Sequence, residues 1–146
     1  MKLFKNVLVF CLVFMCVFST YAFAQDEISV VVNDKKVEFD VPPQIIEGRT
    51  MIPMRKTFEA LGADVEWIGD MNLVLATYSS KILAMEIGKD SFKVTDVLEG
   101  KSEFYNLDVK ATIVDGRTLI PVRAVAESFG FKVDWNGDTR TVTITK

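Results

Sequence analysis

Gly48-Arg49-Thr50-Met51-Ile52-Pro53-Met54-Arg55 returns 68 residues later as Gly116-Arg117-Thr118-Leu119-Ile120-Pro121-Val122-Arg123. Extended without a gap, Ile45–Asp70 matches Ile113–Asp138 at 13 of 26 positions. The identities are Ile45, Gly48, Arg49, Thr50, Ile52, Pro53, Arg55, Glu59, Gly62, Val65, Trp67, Gly69 and Asp70, each with its counterpart. The chain reads as a duplicated unit, spanning about 28–80 and about 92–146.

Within each unit the punctuation is local. Glu47-Gly48-Arg49 and Asp115-Gly116 mark tight hairpin turns, and Asn33-Asp34-Lys35-Lys36 marks another between Ile28–Val32 and Val37–Phe39. Pro53 and Pro121 stand at the first position of a helix, where a missing N–H costs nothing. Met54, Phe58 and Leu61 then form one apolar stripe, and Val122, Val125, Ala126 and Phe129 another. Gly62 and Gly130 close each helix after about nine residues. Such short helices need a sheet to pack on. Val65-Glu66-Trp67 and Val133-Asp134-Trp135 alternate as strands, which places both tryptophans on the core face. Leu73–Ala76, apolar on both faces, suits a central strand, whereas Thr141–Ile144 alternates as a strand with one wet face. Ile82–Ile87 and Ser91–Val94 form a hairpin around Gly88-Lys89-Asp90. The stretch 97–106 has no counterpart in the first unit and is the place for whatever is individual to this chain. The fold class is α+β, antiparallel hairpins packed on two short helices.

The first 24 residues read as a secretory signal. Lys2 and Lys5 precede an apolar run from Val7 to Phe18, and Ala22-Phe23-Ala24 places cleavage before Gln25. An uncleaved anchor is the alternative. Phe10 before Cys11 and Met15 before Cys16 are too bulky for lipoprotein processing. Both cysteines leave with this segment, so residues 25–146 hold no thiol, and a core alone must support them. About 120 residues suffice for one such domain. With Lys2 and Lys5 gone, 15 basic residues face 20 acidic ones, a net charge of −5 that argues against nucleic acid or an anionic membrane. The expected location is secreted or cell-surface.

The chemistry implied is mostly negative. There is no histidine, and with no cysteine after Cys16 the usual copper and zinc ligands are missing. No cofactor or metal is expected. Glu66, Asp70, Asp134 and Asp138 leave a carboxylate-dependent hydrolase formally open, although they fall at strand ends and turns. Arg55 with Glu59 and Arg123 with Glu127 are i, i+4 pairs whose cation sits in the first helical turn, against the dipole. The expected compensation is a lid, with each arginine paired to its glutamate or stacked on Trp67 or Trp135. A twice-repeated anion or glycan site is the alternative, and Arg49-Thr50 and Arg117-Thr118 admit the same two readings.

Gly-Arg-Thr-[Met/Leu]-Ile-Pro-[Met/Val]-Arg, with Glu four residues after the arginine, Gly three later and then Val-x-Trp, resembles the copper amine oxidase N-terminal domain family of bacterial envelope proteins. The similarity runs from about Val30 to Ile144. It implies an α+β stalk-like module without the oxidase chemistry, since neither Asn-Tyr-Asp nor Asn-Tyr-Glu occurs and Tyr105-Asn106 has the wrong order. The signature residues Gly48, Arg49, Thr50, Pro53, Arg55, Glu59, Gly62 and Trp67, and equally Gly116, Arg117, Thr118, Pro121, Arg123, Glu127, Gly130 and Trp135, are thus expected to be structural. The expected role is a non-catalytic envelope module that meets a cell-wall polymer or another envelope protein. A wall-polysaccharide or peptidoglycan binder is the rival, and exposed aromatics near Trp67, Trp135 or Tyr105 would favour it.

Overall fold

The computed structural model describes residues 27–146; the expected signal segment and the expected cleavage before Gln25 lie outside them. The signature sits in the middle of the molecule. Strands β3 (Gln44–Ile46) and β4 (Arg49–Pro53) form one hairpin, β10 (Thr112–Val114) and β11 (Arg117–Pro121) another, and they join edge to edge in the order β10-β11-β4-β3. Across the central seam Ile52 lies opposite Ile120, with Pro53 opposite Leu119 and Met51 opposite Pro121. Residues 68 positions apart therefore meet face to face, and Ile52 and Ile120 are both fully buried. Each hairpin turns on two residues with positive φ, Glu47-Gly48 (49° and 75°) and Asp115-Gly116 (47° and 75°). This is the geometry that matches strand twist, and glycine takes its second position without strain. Arg49, expected in the turn, is thereby the first residue of β4.

Each central strand leads into a helix, α1 (Met54–Ala60) and α2 (Val122–Ser128). Both have seven residues rather than nine, because Pro53 and Pro121 stay extended (ψ 116° and 104°) as the last residue of the strand and cap the helix from outside. At the other end Ala63 N–H donates to Phe58 O and Phe131 N–H to Ala126 O, with Gly62 and Gly130 at φ 86° and 92°. That closing turn needs a left-handed residue, which explains the glycines.

Two further sheets flank the centre. One runs β12 (Lys132–Asn136), β13 (Thr141–Thr145), β1 (Ser29–Val32), β2 (Lys35–Val37). The other runs β5 (Asp64–Ile68), β6 (Leu73–Tyr78), β7 (Lys81–Glu86), β8 (Ser91–Asp96), β9 (Lys101–Asn106). All pairings are antiparallel except β1 with β13, which is parallel, so hairpin reasoning misses how the first strand is held. Lys35 and Lys36 belong to β2, leaving Asn33-Asp34 as a two-residue turn. Leu73–Ala76 lies inside its sheet as expected, whereas 97–106, expected to have no counterpart, supplies the turn after β8 and strand β9 itself, which stands at the edge of its sheet as β2 does in the other.

A single large core gathers Phe58, Val125, Ala126, Leu83, Met85, Val142 and Ile144, all under 2 % exposed. Phe58 of α1 meets Phe129, the residue that follows α2, edge to face with centroids 5.7 Å apart, an arrangement that suits the ring quadrupoles. A second, smaller cluster joins Met51 and Leu119 of the central sheet to Val41 and Val109. No helix among the described residues is long and apolar enough to cross a membrane.

Candidate functional site

Val41 and Val109 belong to two straps that approach the hairpins β3–β4 and β10–β11, and each strap is fastened at the residue before its valine. Arg49 Nε donates to Asp108 Oδ2 at 3.0 Å, and Arg117 donates to Asp40. The bonds are crossed: each signature arginine holds the strap of the other half. Asp40 and Asp108 are themselves 68 residues apart. Carrying the gapless match back past Ile45 would have revealed them, since Asp40-Val41 and Asp108-Val109 are identical at that offset. Arg117, with help from the Val41 N–H, holds the Asp40 carboxyl below its ordinary 3.8.

The same crossing builds two grooves. In one, Gly48, Arg49 and Thr50 face Arg123, Glu127 and Trp135 across a space of about 500 Å³. In the other, Gly116, Arg117 and Thr118 face Arg55, Glu59 and Trp67 across about 530 Å³. Pro121 lines the first and Pro53 the second, at the seam where strand passes into helix. Both volumes fall within the roughly 300–1,000 Å³ of ordinary small-molecule sites. Nearly every signature residue thus lines a groove that neither half could form alone. Gly62 and Gly130 are the exceptions, with their caps as their only visible work.

The tryptophans correct the sequence reading. Alternation with Val65 and Val133 predicts core residues, yet Trp67 is 37 % and Trp135 39 % exposed. The reason is that β5 and β12 are edge strands, so at the end of each the core face runs out beyond the helix and becomes a groove wall. Each indole lies close over its own turn: a Cβ built on Gly69 would come 3.4 Å from Trp67 Nε1, and one on Gly137 3.6 Å from Trp135 Nε1.

Of the expected arginine lid, the described residues show a loose, exposed Arg123–Glu127 pair. Arg55 and Arg123 are exposed. Arg123 Nε stands 3.9 Å from Glu127 Oε1, too far for a hydrogen bond, and both side chains are more than half exposed. Neither arginine is among the ring-stacked cations; Lys146 over Tyr78 is. The arginines that fasten structure are Arg49 and Arg117. Tyr105 is not a free platform either: it stacks on Phe92 at 5.2 Å and its hydroxyl donates to Glu103 at 2.7 Å, which together with burial pushes its pKa up. Glu66 and Asp134 fall in different sheets, and Asp134 is paired with Lys132 at 3.0 Å. Among the described residues no three or more carboxylates, histidines or thiols gather as a metal site would require.

The family described as Copper amine oxidase N-terminal domain matches residues 31–145, taking in both signatures and both grooves. The chain belongs to that family. In copper amine oxidases this N-terminal domain is non-catalytic. No curated protein and no solved structure matches the chain. In this copper amine oxidase N-terminal domain each of the two grooves sets an apolar ring face beside guanidinium donors and a carboxylate acceptor.

Proposed function

We propose that this chain is a non-catalytic interaction module of the cell envelope, exported by its N-terminal signal, formed by internal duplication, and binding a cell-wall polysaccharide through its grooves. The observation that carries this reading is the exposure of Trp67 and Trp135 beside paired arginines. A sugar ring presents an apolar C–H face and a rim of hydroxyls. An indole face with donors and acceptors at its edge is complementary to both. Burial of the tryptophans would have favoured a purely structural module, and they are not buried.

Co-sedimentation of the chain expressed from Gln25 with purified wall sacculi tests the reading. The native chain should pellet, and the Trp67→Ala/Trp135→Ala double variant should stay in solution with its circular dichroism unchanged. Equal pelleting of the two overturns the assignment. Export is tested separately by N-terminal sequencing of the secreted protein, which should begin at Gln25.

A further inference from the structure

We propose that each chain holds two segments of near-neutral glycan at once, one per groove, and so tethers two stretches of wall polymer. This rests on the binding reading above but adds number, direction and ligand charge. Three observations carry it. The grooves use the same side chains at positions 68 apart and differ little in size, about 500 and 530 Å³, so what one binds the other also fits. Each takes its Gly-Arg-Thr corner from one half and its tryptophan from the other, so the pair forms together or not at all. They are joined across the antiparallel seam at Ile52 and Ile120, which turns one groove end for end relative to the other.

The charges decide the ligand class. Arg49 is engaged by Asp108, and Arg117 by Asp40. Arg123 has Glu127 beside it, and Glu59 lines the groove of Arg55. A carboxylated or phosphorylated ligand would meet these acids along with the cations, whereas hydroxyl and amide groups, which both donate and accept, are served by the mixture. The linings differ at the helix, where Lys56 lines the Trp67 groove and Ala124 the other, and at Glu66 and Ile113 in the former against Asn106 and Asp108 in the latter.

Isothermal titration with the uncharged tetrasaccharide of β-1,4-linked N-acetylglucosamine tests the proposal. The native chain should take up two equivalents, Trp67→Ala and Trp135→Ala one each, and the double variant none. On intact sacculi the native chain should be retained about tenfold or more above either single variant, since the second contact is intramolecular once the first has formed. One equivalent for the native chain, abolished by only one of the single variants, would overturn double occupancy and leave the binding function standing. Loss of uptake and retention by the native chain, or full retention by the double variant, would overturn both.

Discussion

The two flanking sheets hold corresponding strands in the same order, except that β7 stands between β6 and β8 in one while β13 and β1 touch directly in the other. β5 and β6 correspond to β12 and β13 at the 68-residue offset, and the hairpins β8–β9 and β1–β2 each precede a signature. Since β7 is antiparallel to both neighbours, β6 and β8 point the same way, as β13 and β1 do. The difference follows from connectivity. Strands pointing the same way cannot be linked by a tight turn, and the chain must travel back between them. Where β6 leads on to β8, β7 is that return path; β13 and β1 are not consecutive in the chain and need none.

Deleting Lys81–Glu86 strikes this difference hardest. Tyr78 and Ser91 would have to be joined across parallel strands by too few residues, and the cooperative urea transition followed by circular dichroism should vanish. A cooperative transition in the deletion variant would show that β7 is dispensable. Next come Ile144→Ala in the four-stranded sheet and Leu83→Ala in the five-stranded one. Both residues are fully buried, and each variant should lose about 2–5 kcal/mol in denaturant melts. A loss confined to one of them would mean that only one sheet is coupled to the global core. Lys81→Ala should cost less, roughly 1–2 kcal/mol, because it removes the bond of Lys81 Nζ to the Ser128 carbonyl at the end of α2, by which β7 reaches the opposite half.

Smallest are the surface charges. Arg55→Ala and Arg123→Ala should leave the melting midpoint within about 0.5 kcal/mol of native, the range for exposed sites without a buried partner. The Asp40 pair should show itself through pH. Its folded pKa is depressed, so its contribution is complete above 3.8 and is lost as pH falls through the lower folded value. Asp40→Asn should therefore melt earlier than native at neutral pH and alongside it in strong acid. Equal gaps at both pH values would exclude the Arg117 pairing as the cause.

Local chemistry made the elements readable. Glu47-Gly48 and Asp115-Gly116 announced their turns, Gly62 and Gly130 their caps, and the 68-residue echo the paired hairpins. Two things escaped for the same reason, that they are set between distant segments. The parallel contact of β1 with β13 leaves no turn in the sequence to mark it. The exposure of Trp67 and Trp135 depends on both strands lying at sheet edges, which alternation alone does not encode. The crossed bonds of Arg49 and Arg117 were hidden only by stopping the repeat at Ile45.

The parallel ladder of β1 on β13 also has a mechanical meaning. Ser29 pairs with Thr141 and Val32 with Ile144, with flanking bonds from Ser29 N–H to Arg140 O and from Asn33 N–H to Ile144 O. A pull applied backward from Ser29 and forward from Thr145 draws the two strands past one another along their length. The load falls on all rungs of the ladder together, in shear, rather than on one rung at a time as in a peeled hairpin. A module fixed to a stiff polymer and tugged through these two strands would yield only when the whole ladder broke at once.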